Sequence, residues 1–455
     1  MKDLPPLETL SSAEKDALIR ELWQRLQSLE KKGHQSPQKR VKKTSRNSSL
    51  PPSKGFKPNQ SQRHSPSASS AKSAKHREGG RELTQTPDRT VIAHATSCPH
   101  CGEAVVKASQ KLRGIYERIE LPPVRAHITQ VHHYGGICPG CEQSYDAPVP
   151  VGLEPGSPFG DTVASLVSYL RYGHAVSYQR LQQLMGELYG LSLSQGAIAN
   201  LLKRVKTRLE NPVQQIVERL RRSRVVGSDE TSARVKGQNY WEWVFQNEQV
   251  CLHVIRPSRG KVVIDDVMDG HHPAVWLSDL FSSQAANPGD DWQVCLAHQL
   301  RDCQYAIDTG DDLFAPRMKR LFLKAIAVHR RRHRLADSTL HQYRSRFRGA
   351  LREILNLNPT TPDGQRLLKR YRKIQDHLLL FLMHEDVPPT NNASEQALRW
   401  SAVFRKVTNG FRSEWGAELF ASVRSLVNTA RRQGISAFDA ICRAITSPQA
   451  DWLLG

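Results

Sequence analysis

The chain has 455 residues, enough for two to four domains of about 150 residues each, and its 38% hydrophobic content is ample for at least one large core. A mean hydropathy of −0.53, the lack of any run of 18 apolar residues and the lack of an apolar stretch behind Met1 exclude a membrane-spanning helix and a secretory signal. The chain is therefore predicted to be cytoplasmic, its eight cysteines to form no disulfide framework, and its net charge of +21 to reflect a polyanionic partner rather than an ordinary basic surface.

Residues 1–32 are predicted to form a leucine-zipper-like helix. Ser11 and Glu14 have the spacing of a capping box, which marks the start of a helix. Behind them, apolar residues recur every three or four positions, as in a coiled-coil seam: Ile19, Leu22, Leu26 and Leu29. About two to three heptads are present, so the pattern predicts either weak self-association or packing of the helix on its own protein.

Residues 33–90 are predicted to be a disordered basic linker. The segment is rich in Ser, Pro, Lys, Arg and Gln, and it has almost no large apolar side chains that could form a core. Residues 31–90 hold 15 Lys and Arg against 3 Asp and Glu, so more than half of the net charge lies there. The linker is either a plain tether or a tether that also holds DNA non-specifically.

Residues 91–155 are predicted to form a zinc-binding module. Cys98-Pro-His-Cys101 and Cys138-Pro-Gly-Cys141 are two CxxC pairs separated by 36 residues, an interval that leaves room for a small hairpin. Because each pair can present two thiolates to one ion through a tight turn, the four cysteines predict a closed, structural Zn²⁺ site. Redox dithiols are the alternative, as is substitution of a ligand by His94, His100, His132 or His133. The remaining cysteines are predicted to be core residues: Cys251, Cys295, Cys303 and Cys442.

Residues 156–222 are predicted to be helical and to include a helix-turn-helix-like pair. Ser177 starts one helix, which ends at Gly190, and Ser194 starts the next. Two helices joined by a short turn with glycine are typical of DNA-binding helix-turn-helix units, although many helix pairs share this pattern without binding DNA. Lys203 and Arg204 make the second helix basic and are candidate DNA-binding residues.

Residues 223–430 are predicted to form a mixed α/β core. Strand-like runs cover about 224–229, 240–245, 250–255 and 274–279, and a short helix is predicted over 261–268. Basic helical patterns fill 292–385, and helices continue from 391 through a C-terminal helical tail at 431–455. Strands followed by a helix and a further strand favour an α/β layer.

Three carboxylates stand at suitable points of this core for metal-dependent phosphodiester chemistry. Asp229 and Asp279 each end a strand-like run, and Glu395 lies at the start of a helix. Mg²⁺ or Mn²⁺ prefers oxygen ligands, and a pair of such ions stabilises the attacking and leaving oxygens. By spacing alone the pattern is weak, since Asp229 could be a turn residue and Glu395 an ordinary first-turn glutamate behind an asparagine cap. Neighbouring carboxylates are interpreted as surface residues: Glu230, Asp265, Asp266, Asp290 and Asp291.

Local motifs in this core carry a family resemblance. They are Gly227-Ser-Asp-Glu-Thr231 followed by Tyr240-Trp-Glu-Trp-Val244, then Cys295-Leu-Ala-His298, Pro389-Thr-Asn-Asn-Ala-Ser-Glu395-Gln-Ala-Leu-Arg399, and the continuation from Phe404 to Ala417. With the zipper-like helix and the four cysteines, they resemble the transposases of insertion-sequence family sixty-six (TnpC type). Leu296 stands where the family has Trp, and Asp279-Leu-Phe where it often has Asp-Gly-Tyr, which leaves Asp290 or Asp291 as alternative second ligands.

The resemblance implies a multidomain α+β chain with an RNase H-like core and a helical insertion at about 305–385. It implies a bacterial DNA transposase that binds the inverted-repeat ends of an insertion sequence. Cleavage and strand transfer would take place at Asp229, Asp279 and Glu395 with Mg²⁺ or Mn²⁺. Further side chains are candidates for contact with DNA phosphates: His298, Arg399, Arg405, Lys406 and Arg412.

The expected partners are transposon-end and target DNA, further copies of the chain, and small accessory proteins of the same element. One alternative is a domesticated or decayed relative that binds DNA without cutting it. A second is a related nuclease that cuts DNA but does not join it. A zinc-dependent scaffold without a nucleic-acid role has little support beyond the zipper-like helix.

Overall fold

The computed structural model describes residues 11–33, 47–48, 82–122, 124–286 and 289–450, and for 25–33 it describes the backbone alone. Helix α1 (Ser12–Gly33) begins directly behind Ser11. The backbone N–H and the hydroxyl group of Ser11 donate to the Glu14 carboxylate at 2.9 and 2.8 Å, which confirms the predicted capping box. Ile19 and Leu22 of the predicted seam are 62% and 49% exposed. The side chains of Leu26 and Leu29, and most of the predicted linker, lie outside the described part of the chain.

The region of the two CxxC pairs contains little regular structure. A hairpin of β1 (Gly135–Ile137) and β2 (Ser144–Asp146) encloses the second pair. The interval before this hairpin contains a short 3₁₀ turn, Lys107–Ser109, and no strand pair among its described residues. The hairpin for which the interval left room therefore surrounds the second pair rather than lying between the two pairs.

Within the described residues, four helices follow α1 and precede the large sheet: α2 (Asp161–Ser168), α3 (Tyr178–Tyr189), α4 (Gln195–Arg208) and α5 (Glu210–Arg221), with a π-helical turn at Tyr169–Gly173. The hydroxyl groups of Ser177 and Ser194 accept hydrogen bonds from N–H groups in the first turns of α3 and α4. Gly190 ends α3 with a φ of 67°, the left-handed conformation that favours glycine. The predicted helix pair and its caps are thus confirmed.

The central sheet has five strands: β3 (Val225–Val235), β4 (Gln238–Gln246), β5 (Cys251–Arg256), β6 (Val275–Ser278) and β7 (Asp291–Val294). Their order is β5-β4-β3-β6-β7. The first three form an antiparallel meander, and β6 and β7 continue on the other side of β3, parallel to it. Helix α6 (Val262–Met268) connects β5 to β6, as the pattern of 261–268 predicted.

Two features of this sheet differ from the prediction. Strand β7 lies at 291–294, inside the stretch predicted to be helical. The sequence does not predict this strand because four residues are too few to show an alternating pattern. Asp229 lies in the middle of β3 rather than at a strand end. The apolar run does end there, but residues 230–235 stay paired with β4 and extend the strand as one arm of a hairpin.

Seven helices follow β7 in the part of the chain described up to residue 450: α7 (Leu296–Asp308), α8 (Phe314–Arg330), α9 (Asp337–Leu355), α10 (Pro362–Ile374), α11 (Asn392–Thr408), α12 (Glu414–Arg432) and α13 (Ala437–Thr446). α12 packs along β5, and α13 packs against α12 and α2, so the predicted C-terminal tail contributes to the folded body. One cluster of buried apolar side chains runs from the first helices through the sheet into α7–α10. None of the described helices is long and apolar enough to cross a membrane.

Candidate active site

The strand register sets the relation between the two predicted aspartates. β3 and β6 run parallel with Val225 opposite Val275 and Gly227 opposite Leu277. Two residues further along both strands, Asp279 directly follows β6 and lies level with Asp229. By contrast, Asp291 begins β7 opposite Val275, at the other end of β6. The sheet therefore brings Asp279 close to Asp229 and keeps the alternative second ligands Asp290 and Asp291 apart from it.

Glu395 lies in the first turn of α11, and Asn391 joins that turn to the sheet. The Asn391 amide group donates to the backbone oxygen of Ser228 at 2.7 Å, next to Asp229. The Asn391 backbone N–H donates to Sγ of Cys295 at 3.1 Å, directly after β7. Its side-chain oxygen accepts from the Ser394 hydroxyl at 2.7 Å, so it caps no backbone group of the helix. One buried side chain thus links the strand of Asp229, the cysteine motif and the helix of Glu395.

A glycine on β3 permits this close approach. A Cβ atom at Gly227 would lie 2.9 Å from Oδ1 of Asn391 and 3.0 Å from Nε2 of Gln246. Gln246 itself donates to the Ser394 hydroxyl at 3.0 Å. The start of α11 therefore rests directly on the backbone of β3, two residues before Asp229.

The site concentrates negative charge. Burial raises the pKa of Asp229 well above its usual range, and the nearby carboxylates of Glu230, Asp279 and Glu395 raise it further. Two neighbouring carboxylates have oxygen lone pairs available to a cation. Oε1 of Glu395 is buried without a hydrogen-bond partner, and Oδ1 of Asp279 accepts only the Phe281 N–H, at 2.9 Å. An all-oxygen donor set with excess negative charge suits Mg²⁺ or Mn²⁺. Among the described residues, no three His, Cys, Asp or Glu side chains are already close enough to hold a metal ion.

The fourth carboxylate, Glu230, was predicted to be a surface residue, but its side chain is only 1% exposed and its charge is paired within the protein. Arg259 donates to its Oε1 at 2.8 and 3.1 Å, and Gln284 donates to its Oε2 at 2.9 Å. The Arg259 guanidinium lies 3.6 Å from the ring centre of Phe281. The Asp279-Leu-Phe sequence departs from the resembled pattern, but Phe281 still supplies an aromatic ring for a cation–π contact with Arg259.

A buried polar network under α11 was not predicted from the sequence. Oε1 of Glu242, the central residue of the Trp-Glu-Trp motif, accepts from Ser401 of α11 at 2.6 Å and pairs with Nδ1 of His253 at 2.9 Å. Nε2 of His253 lies 2.8 Å from Nδ2 of Asn428 on α12 and 3.6 Å from Sγ of Cys251. These side chains are fully buried or nearly so. The network fastens the helix of Glu395 and its neighbour α12 to the sheet.

We expect this network to make stability depend on pH. Burial disfavours protonated His253, but Cys251 and Glu242 outweigh burial and raise the pKa of His253 to about 8. Because this value exceeds that of the unfolded chain, the stabilisation is complete below about pH 6.5 and is lost as the pH rises through 8. In urea unfolding at pH 6 and pH 9, wild type is expected to lose more stability at the higher pH than His253→Gln does. Equal losses in both proteins would contradict this assignment.

The predicted DNA-binding residues fall into two groups. Around the site, Nε2 of His298 lies 3.6 Å from Glu395, and Arg405 donates to the Thr231 hydroxyl at 3.2 Å, where burial lowers the pKa of Arg405. Three side chains on α11 and just beyond it are exposed and have no ion-pair partner among the described residues: Arg399, Lys406 and Arg412. They form a free basic surface along the helix that carries Glu395.

The basic side chains of α4 are engaged within the protein. Lys203 lies 5.6 Å from the ring centre of Trp415, and Arg204 donates to the Ser157 hydroxyl at 2.6 Å. Lys206 pairs with Glu418, and Arg208 pairs with Asp161. The opposite face of α4 is buried against its helical neighbours. Recognition of DNA by Lys203 and Arg204 stays a prediction.

The two CxxC pairs adopt the same local structure. In each, the backbone N–H of the first cysteine bonds five residues ahead, Cys98 to Glu103 and Cys138 to Gln143, both at 2.8 Å. Backbone N–H groups, first those of His100 and Gly140, lower the pKa of Cys98 and Cys138 and so favour their thiolates. The described structure does not gather the two pairs into one cluster. Cys251, Cys295 and Cys303 are buried and Cys442 is partly buried.

Comparison with known proteins adds a family match. The sequence model described as the transposase IS66 family matches residues 156–419. This span includes all three predicted catalytic carboxylates and Asn391, and it excludes the CxxC pairs. No curated protein matches the chain.

Proposed function

The chain belongs to the transposase IS66 family, and from this we propose that it binds the inverted-repeat ends of a bacterial insertion sequence and cuts and rejoins DNA. We assign the chemistry to Asp229, Asp279 and Glu395. The observation that carries the proposal is the register of β3 and β6, which sets the two aspartates level, together with the attachment of Glu395's helix to β3 through Asn391.

The site has the charge that a divalent cation would require. Burial first, and then repulsion from the neighbouring carboxylates, raises the pKa of Asp229, and a bound cation would relieve both effects. Asp229, Asp279 and Glu395 would hold the ion. When bound, Mg²⁺ or Mn²⁺ would activate the attacking oxygen and stabilise charge on the leaving oxygen. The chain's own role is to fix these carboxylates on β3, after β6 and on α11.

We further propose that residues 223–430 form an RNase H-like core. That fold has a sheet in which three antiparallel strands are followed, beside the first of them, by two strands parallel to it. The large sheet here has this topology, which supports the proposal. The helices α8–α10 between α7 and α11 would be the insertion. Fold alone does not give activity, so the assignment rests on the three carboxylates.

DNA would follow the basic side of α11. Arg399, Lys406 and Arg412 are exposed and unpaired among the described residues, and the chain as a whole carries +21. Phosphate contacts of this kind release counterions, so binding should weaken steeply as salt rises. We propose that further copies of the chain bring two DNA ends together, with the exposed Ile19 and Leu22 of α1 contributing to that contact and accessory proteins assisting.

The test is nicking of a labelled duplex that carries the element's own terminal repeat, with Mg²⁺ or with EDTA. We expect nicking only with Mg²⁺, followed by joining of the freed 3′ end to a target duplex. Tight binding without nicking would favour the inactive DNA-binding relative. Nicking without joining would favour a nuclease. Asp279→Asn and Asp291→Asn, compared side by side, identify the second ligand, and we expect only Asp279→Asn to abolish nicking.

We propose that the four cysteines bind a structural Zn²⁺. The matched turns and the lowered thiol pKa values at Cys98 and Cys138 support this assignment. Metal analysis is expected to find about one Zn²⁺ per chain in wild type and almost none in Cys98→Ser or Cys138→Ser, because three thiolates bind it far more weakly than four. Cys442→Ser is the control and should keep its zinc. About one Zn²⁺ per chain in both Cys98→Ser and Cys138→Ser would reject the assignment.

A further inference from the structure

Helix α7 presents an arginine and a histidine side chain to Glu395. His298 and Arg301 are three residues apart and therefore lie on the same face of the helix. Nη2 of Arg301 lies 3.3 Å from Oε2 of Glu395, and Nε2 of His298 lies 3.6 Å from Oε1. The side chains of Arg301, His298 and Glu395 are 26%, 20% and 23% exposed, so the contact lies at the edge of the site. Arg301 donates a hydrogen bond across this contact, whereas the histidine is too distant to do so.

This contact makes Glu395 different from the two aspartates. Among the described residues, neither Asp229 nor Asp279 has an ion-pair partner, and each accepts a backbone N–H group nearby. Glu230 has its own arginine, Arg259, and is not a predicted ligand. Of the three predicted Mg²⁺ ligands, Glu395 alone has its charge balanced by a cationic side chain within the described part of the chain.

We propose that Arg301 is a positioning residue that holds Glu395 in the metal-free protein and competes with the divalent cation for it. The inference rests on the proposed function, since it takes Glu395 as a metal ligand. A carboxylate paired with a guanidinium is a weaker ligand than a free one, because the two cations repel each other across it. The ion pair keeps Glu395 in place while it lowers the affinity of the site for metal.

This role predicts an effect of unusual sign. Removal of Arg301 should increase metal affinity, whereas loss of an ordinary structural contact would decrease it. The expected gain is about threefold to fivefold, the most that a partly exposed ion pair contributes. Arg301→Lys keeps the charge and should stay near wild type. Arg317→Gln removes the same charge from an exposed side chain of α8 that makes no described ion pair with Glu395, and it should leave the affinity unchanged.

The experiment measures Mn²⁺ binding to the full chain without DNA, from the spectroscopic signal of the free ion, for wild type, Arg301→Gln, Arg301→Lys and Arg317→Gln. Tighter binding in Arg301→Gln alone supports the proposal. Unchanged or weaker binding in Arg301→Gln, with unfolding curves like those of wild type, overturns it. Glu395→Gln separates the two levels of inference. If its Mn²⁺ affinity equals that of wild type, Glu395 is not a ligand and the catalytic assignment fails first.

Discussion

Asp229→Asn is expected to reduce Mg²⁺-dependent nicking by about 10³-fold or more while terminal-repeat DNA remains bound. Asparagine has the same shape but supplies no charge to hold a cation, and several kcal/mol of transition-state stabilisation would go with that charge. Asp229 is the central carboxylate of the site: burial raises its pKa most, and Glu230, Asp279 and Glu395 all raise it further.

The same variant should be more stable than wild type in EDTA. A carboxyl group whose folded pKa lies above its unfolded value destabilises the folded state at neutral pH, and the penalty disappears as the pH falls through the folded pKa. The advantage of Asp229→Asn in thermal unfolding should thus shrink on acidification. Asp265→Asn, which removes an exposed carboxylate paired with Lys261, serves as control and should change neither nicking nor that pH dependence. A destabilised Asp229→Asn would mean that the carboxylate is a structural partner rather than a strained ligand.

Local signals in the sequence predicted much of this architecture. Ser11 with Glu14, Ser177, Ser194 and Gly190 define helix ends by hydrogen bonds within a few residues, and the structure has them as predicted. Four of the five strands in the large sheet were visible as apolar runs. These features depend on neighbours in the chain, so the sequence around each one contains the necessary information.

Features that depend on distant residues were missed. Asp291–Val294 forms a strand because β6 provides a partner, and its four residues show no pattern of their own. In the sequence, Glu242 is recognisable only as one residue of a motif, because its partners His253 and Ser401 lie 11 and 159 positions away. Arg301 was passed over for the same reason, since its contact with Glu395 spans 94 positions. The catalytic assignment itself came from motif resemblance, because carboxylates at strand ends are too common to be specific.

Gly227 shows how one of these motifs works. Gly227→Ala is expected to lower nicking by about 100-fold and the free energy of unfolding by about 1–3 kcal/mol. The added methyl group would lie 2.9 Å from Oδ1 of Asn391 and 3.0 Å from Nε2 of Gln246, and both side chains are buried and already hydrogen-bonded. The start of α11 must then move away from β3. Since Glu395 lies in that turn, a displacement of about 1 Å is enough to misplace it relative to Asp229.

Gly349→Ala is the matched control, because Gly349 lies in α9 and a Cβ atom there would meet nothing within 4 Å. It should raise stability slightly, as alanine does in a helix, and leave nicking unchanged. The informative measurement is nicking by Gly227→Ala across a range of Mg²⁺ concentrations. A displaced Glu395 should raise the concentration needed for half-maximal nicking as well as lower the maximal rate. A loss of stability with unaltered metal dependence would show that Gly227 serves packing alone and that α11 keeps its place without it.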